Sequence, residues 1–377
     1  MYFCITANYK LKKYILIFYL LILVQLVSAQ ESVFDRMTFS ANGRYGFIIP
    51  HHSSLVYLIE DHSKAFDVNL SFCTKGDKLW QQYYRVPELG LGFYHADLGN
   101  PIYLGKANAF YGFIRIPIIN KNTFHFNYSL AWGMAFLSKS FNVESNIYNI
   151  AIGSKANAFV DLGVSLELKV MKSMFLTTGL QFSHYSNGAW KVPNLGFNIP
   201  TVNAGLKYYL GDRQLPAVTP YKDLKAAFKR KYEFWFSYAG GIRENSPPNG
   251  KEFYVSALCF KAERQYNPRR KFGTGLDIFY DPSIGSRLKN DSTVVNQSFN
   301  FRSGIHLSHD VIFNKIAFTM QTGAYFYSKE KQGDRLIYSR FGFRIKVSKN
   351  LAATLTLKTH FFKADIIEWG IGYYFEK

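Results

Sequence analysis

The stretch Met174-Phe175-Leu176-Thr177-Thr178-Gly179-Leu180-Gln181-Phe182-Ser183-His184-Tyr185-Ser186-Asn187-Gly188 alternates in polarity along its length. One parity carries Met174, Leu176, Thr178, Leu180, Phe182, His184 and Ser186; the other carries Phe175, Thr177, Gly179, Gln181, Ser183 and Tyr185. Successive side chains of a β-strand point to opposite faces, so the segment reads as a strand with one mostly apolar face. His184 and Ser186 project from the end of that face. A base and a potential nucleophile two residues apart on a greasy surface are what ester hydrolysis at a lipid boundary needs. A soluble protein would bury such a face, whereas a membrane barrel turns it to lipid.

The same period recurs on both sides. Phe124, Phe126, Tyr128, Leu130, Trp132, Met134 and Phe136 share one face opposite His125, Asn127 and Ser129. Ala158, Val160, Leu162, Val164, Leu166 and Leu168 stand against Asp161, Ser165, Glu167 and Lys169, and Leu351, Ala353, Leu355 and Leu357 against Thr354, Thr356 and Lys358. Charged residues opposite a continuous apolar face mark an outer-membrane barrel with a polar interior. No long apolar run follows residue 29, so a helical span is not expected. The 35 Phe, 27 Tyr and 28 Gly suit strands with aromatic girdles. The expected fold is all-β, an antiparallel transmembrane β-barrel of about sixteen strands. Eight fall at 38–49, 66–75, 88–97, 108–118, 123–137, 156–170, 173–186 and 198–211. Eight more fall at 231–242, 252–263, 271–281, 299–309, 313–327, 338–348, 350–361 and 364–376. Residues 79–86 have room for a further short element. The halves close alike, Gly205-Leu206-Lys207-Tyr208-Tyr209-Leu210 and Gly370-Ile371-Gly372-Tyr373-Tyr374-Phe375. Two eight-stranded barrels or one large one satisfy this pattern equally.

Residues 1–29 read as a secretory signal. Lys10, Lys12 and Lys13 precede the apolar run Tyr14 to Val24, and Val27-Ser28-Ala29 offers small residues for cleavage. The expected organisation is a barrel half at 30–211, a periplasmic linker at 212–230 with a short basic helix over 221–230, and a second half of unknown role at 231–377. Long connections at 50–65, 98–107, 138–155 and 187–197 alternate with tight ones such as 119–122 and 171–172, which places the long set outside. His184 and Ser186 then lie at the depth of the outer leaflet. The +19 formal charge is scattered, with no nucleic-acid motif, so phosphorylated lipid headgroups are the expected acidic partner. Cys73 and Cys259 sit in different halves and make no disulfide framework. His51-His52 lacks a further ligand at metal spacing and reads as a solvated loop. His306 and His309 read as markers of a periplasmic turn, and Arg264, Arg269, Arg270 and Lys271 as a solvated one.

His184-Tyr185-Ser186-Asn187, followed by Pro193-Asn194-Leu195-Gly196-Phe197-Asn198, resembles the signature of the lipid A 3-O-deacylase family. These are outer-membrane β-barrel esterases of Gram-negative bacteria that remove an acyl chain from lipopolysaccharide. The resemblance covers roughly residues 88–211, with Gly99-Asn100-Pro101 and Gly153-Ser154 in support, and leaves 231–377 outside. It implies Ser186 as nucleophile, His184 as general base, Asn187 near the oxyanion, and no metal or organic cofactor. The partner it implies is lipid A in the outer leaflet. The family's third catalytic member is a glutamate, and the matching position here is Asn198. A carboxylate fixes the histidine tautomer and stabilises the imidazolium, and its loss costs about 10⁴ in turnover in the serine-protease template, though papain-like enzymes use asparagine. Parity independently puts Asn198 on the lipid side with Pro200, Val202 and Leu206. Acyl chains are therefore expected along Leu180, Phe182, Val202 and Leu206, with Asn187 and Asn194 facing substrate. The alternative is a non-catalytic barrel, a pore or a surface-assembly protein that retains an inactive deacylase-like module.

Overall fold

The computed structural model describes residues 34–211, 218–226, 228–245, 247–290, 296–330, 336–361 and 363–377. The expected signal at 1–29, and residues 212–217 of the linker, lie outside these. Sixteen antiparallel strands form two closed barrels. The first comprises β1 (Met37–Gly46), β2 (Ser63–Cys73), β3 (Glu88–Asp97), β4 (Lys106–Asn120), β5 (Phe124–Leu137), β6 (Ala156–Lys169), β7 (Met174–Ser186) and β8 (Phe197–Tyr209). The second comprises β9 (Lys231–Glu244), β10 (Glu252–Asn267), β11 (Arg270–Tyr280), β12 (Phe301–Phe313), β13 (Ile316–Ser328), β14 (Ile337–Lys346), β15 (Leu351–His360) and β16 (Lys363–Glu376). The choice between one barrel and two is made by hydrogen bonding. β8 returns to β1, with Tyr209 opposite Thr38, and β16 returns to β9, with Glu376 opposite Glu233. Closure leaves no unpaired strand edge, which hydrocarbon would not tolerate.

The outer face is apolar as the alternation requires, with Leu91, Leu180, Leu276, Ile305 and Ile371 all exposed. The lumens are polar and filled. In the first, Arg44 bridges Asp67 (2.6 Å) and Asp161 (3.1 Å), Lys207 bridges Glu88 (2.5 Å) and Glu167 (3.1 Å), and Arg115 meets Glu88 at 2.7 Å. In the second, Arg340 bridges Asp277 (3.1 Å) and Glu368 (2.6 Å), and Arg344 bridges Glu263 (2.7 Å) and Asp310. A cavity of about 40 Å³ lies beside Glu88, Arg115 and Lys207, and another of about 40 Å³ beside Cys259, Lys261 and Arg340. Eight-stranded barrels are narrow enough for side chains to fill, and these do, which speaks against the pore alternative.

One sequence reading is filled in and three change. The short element expected near 79–86 is a helix, α1 (Leu79–Tyr83). The linker helix, α2 (Tyr221–Ala226), is shorter than 221–230 and is docked: Leu224 is buried, and the Arg269 guanidinium lies 4.6 Å from the Tyr221 ring centroid. The basic turn is not wholly solvated, because Lys271 has inward parity and its ammonium meets Glu233 at 2.6 Å. His306 marks no turn. β12 continues to Phe313, leaving His306 buried in the lumen against Asp277 at 2.7 Å.

Removing one partner of a buried ion pair leaves the other charge uncompensated, which typically costs about 3–5 kcal/mol. Arg44→Met strands both Asp67 and Asp161, so a loss of about that size is expected. Urea unfolding of the lipid-reconstituted protein, followed by tryptophan fluorescence, measures it. A loss below about 1 kcal/mol would contradict the assigned role of the pair.

Candidate functional site

The antiparallel register of β7 and β8 sets His184 directly opposite Asn198, Phe182 opposite Pro200, Leu180 opposite Val202 and Leu176 opposite Leu206. Directly opposed residues share a face. Leu180, Phe182, Val202 and Leu206 thus form an exposed apolar column with the His184–Asn198 pair at one end. His184 Nδ1 lies 2.7 Å from Asn198 Oδ1. Ser186 is the last residue of β7, and the chain leaves the barrel wall just beyond it.

Three residues of the departing loop are left-handed: Gly188, Ala189 (φ +66°) and Gly196. Gly188 has φ +65°, and its amide donates to Ser186 Oγ at 3.2 Å. Gly196 has φ +78°, a region that glycine enters without the penalty of a Cβ. A Cβ there would sit 2.6 Å from the Tyr185 carbonyl oxygen, 3.4 Å from His184 Cε1 and 3.8 Å from Ser186 Cβ. The backbone therefore crosses close over the gap where the His184 and Ser186 side chains converge. Among the described residues no hydrogen bond joins these two side chains. Ser186 Oγ is instead held by Gly188 N and by Asn194 Nδ2, which donates at 3.1 Å. The hydroxyl also lies 3.3 Å from Asn194 Oδ1, to which it donates.

The two motif asparagines have different positions. Asn194 touches Ser186 and accepts from Asn187 N at 3.0 Å. Asn187, placed by the resemblance near the oxyanion, has its side chain buried: Nδ2 donates to Ser154 Oγ at 2.9 Å and Oδ1 accepts from Ala189 N at 3.0 Å. It shapes the turn from within. Ser154 belongs to the Gly153-Ser154 pair, which gives that weak motif a physical role.

Two contributors were not anticipated. His51 and His52 diverge instead of pairing: His52 accepts from Ser54 N, while His51 reaches Asn198 Nδ2 at 3.1 Å and the Leu195 carbonyl at 3.0 Å. The chain beyond β1 continues along β8, with Ile49 N donating to Asn198 O at 2.8 Å, and this delivers His51 to the site. The second contributor is Glu244, at the end of β9 in the other barrel. Its fully buried carboxylate accepts from Val192 N at 2.7 Å and from Lys191 Nζ at 3.4 Å, and its own amide donates to Ala189 O at 3.3 Å. Lys191 also meets Glu252 at 2.6 Å, and that hydrogen bond raises the ammonium above its ordinary value. The second barrel thus grips the loop that carries Asn194. A cleft of about 660 Å³ lies between the barrels beside Asn194, Leu195, Arg243 and Lys363.

Glu244→Ala removes the acceptor for Val192 N and frees Lys191. An unmet buried hydrogen bond costs about 1–3 kcal/mol, and here it falls on one loop. Trypsin cleavage after Lys191 is expected to accelerate by roughly tenfold or more, with barrel melting little changed, because cleavage follows the open population. Mass spectrometry of timed digests reads the rate; an unchanged rate would show that the loop is held elsewhere.

Residues 64–207 match the family described as lipid A 3-O-deacylase (PagL), somewhat further toward the N-terminus than the motif alone reached. Residues 232–377 match the acyloxyacyl hydrolase C-terminal domain, so the second half is not outside the family. No curated protein matches the chain. Among solved structures, Neisserial surface protein A is 9% identical, covering 46% of this chain and 96% of its own, with a TM-score of 0.32. The outer membrane enzyme PagL is 16% identical, covering 45% and 98%, with a TM-score of 0.29. A mutant Rh. blastica porin is 8% identical, covering 90% and 100%, with a TM-score of 0.18. With both halves matched, the chain belongs to the lipid A 3-O-deacylase family, hydrolases of ester bonds in the bacterial outer membrane.

Proposed function

We propose that this protein removes an acyl chain from lipid A in the outer leaflet, with Ser186 as nucleophile and His184 as general base. The observation that carries the reading is the 2.7 Å His184–Asn198 pair, with Ser186 two residues on, at the head of an exposed apolar column. Lipid A already lies in the membrane with its tails running down the barrel wall. Tails along Leu180, Phe182, Val202 and Leu206 bring the ester bonds near the headgroup to the height of Ser186, so the bilayer supplies much of the positioning.

The chemistry follows from these positions. Ser186 Oγ attacks the ester carbonyl carbon as its proton passes to His184 Nε2, and the carbonyl oxygen becomes an oxyanion. Asn194 Nδ2 and Gly188 N, the two donors beside Ser186, are the groups suited to stabilise it; such a donor is worth about 10²–10³ in turnover. Collapse breaks the ester bond to the sugar, and the departing oxygen takes the proton from His184. Water, activated by the same imidazole, then attacks the acyl-enzyme and releases the fatty acid. Asn198 holds the imidazole but brings no negative charge, so the imidazolium is stabilised less than by the family's glutamate.

Lipid A extracted from cells with and without the protein, and purified lipid A incubated with the folded barrel, are to be compared by mass spectrometry. The expected product has lost one acyl chain. Ser186→Ala is expected to abolish the loss while costing about 1 kcal/mol of stability, since only the hydrogen bonds at its hydroxyl disappear. His184→Ala should match it, and the double variant should be little worse, because the two groups act as a unit. Folded wild-type protein that leaves lipid A intact would favour the surface-assembly alternative.

A further inference from the structure

The substitution of asparagine for a carboxylate at position 198 raises a specific problem. An amide has one accepting end and one donating end. If Asn198 turned its NH₂ to His184, Nδ1 would have to accept, Nε2 would carry the proton, and the imidazole would be unable to act as a base. A carboxylate has no such wrong orientation. Something must fix the direction of the Asn198 amide.

We infer that His51 is the positioning residue that takes over the orienting role of the missing carboxylate, an inference that rests on the deacylase reading above. The Leu195 carbonyl can only accept a hydrogen bond. It lies 3.0 Å from His51 Nε2, so Nε2 carries the proton. In the neutral imidazole Nδ1 is then an acceptor. Asn198 Nδ2, 3.1 Å away, donates to it. The amide oxygen consequently faces His184 Nδ1 at 2.7 Å, so Nδ1 carries the proton and His184 Nε2 keeps its lone pair. The opposite His51 tautomer, paired with a flipped Asn198 amide, would set the Nε2 lone pair against that of the Leu195 carbonyl at 3.0 Å, and this repulsion disfavours it. A backbone carbonyl thus determines, through two side chains, which nitrogen of the catalytic histidine is the base.

The test measures kcat and KM for deacylation of purified lipid A in detergent micelles by the full-length wild type, H51A, N198E, H51A/N198E and S186A. H51A is expected to lower kcat by about tenfold or more with KM within about twofold, since tautomer errors affect turnover and not membrane binding. N198E is expected to exceed wild-type kcat, because a carboxylate needs no orienting partner and also stabilises the imidazolium. In the N198E background, removal of His51 is expected to change kcat by less than about twofold. An equal loss from H51A in both backgrounds would make His51 a structural support of its loop and overturn the inference. So would wild-type kcat in H51A; if S186A is then dead, the deacylase reading survives alone. A wild type as inactive as S186A would overturn both.

Discussion

Hydrocarbon cannot hydrogen-bond to a peptide, and every other feature of this protein depends on that fact. A strand exposed to lipid must find partners on both sides, so a sheet in the membrane has to close. Here each run of eight strands closes on itself, β8 on β1 and β16 on β9, and each lumen is narrow enough to be filled. Charges that would be intolerable on the outside become the filling: Arg44, Lys207 and Arg340 each bridge two carboxylates from different strands, and Arg344 bridges three. Such pairs add little net stability over apolar packing but make any other register leave a charge unmatched. They are a reason for the barrels to have one register only.

Closure also fixes where chemistry can occur. The lumens are filled by side chains, which leaves the outer surface as the face open to lipid. The register of β7 with β8 sets His184 beside Asn198 there, above a column of apolar side chains. Just beyond, Gly188 and Gly196 let the backbone fold over the pair of side chains and present donors to Ser186. The rigid wall thus carries His184, and the loop carries Asn194. Precision in the loop has to come from elsewhere.

The second barrel supplies part of it. Glu244, buried and two-handed, accepts from Val192 N and Lys191, while its backbone pairs with Ala189. Ile367 lies so close to Gly188 that a Cβ there would come within 2.2 Å of its side chain. Gly188 therefore answers two demands, a left-handed turn and contact with the neighbouring barrel. This gives the second half a role that does not require a site of its own.

The sequence by itself determined the strands and their outward and inward faces, because alternation with a period of two is a local property. Met174 to Ser186 and Asn198 to Leu206 can each be assigned to a face with no knowledge of their neighbours. The motif added His184, Ser186, Asn194 and Asn198, since these lie close in the chain. The tertiary structure alone decided that there are two barrels, that Asn187 is buried while Asn194 meets Ser186, and that His306 lies inside a lumen. It alone brought His51 to Asn198, 147 positions away, and Glu244 to Val192, 52 away. Those contacts depend on how strands register and barrels pack across long separations. No periodicity within a single strand encodes that information.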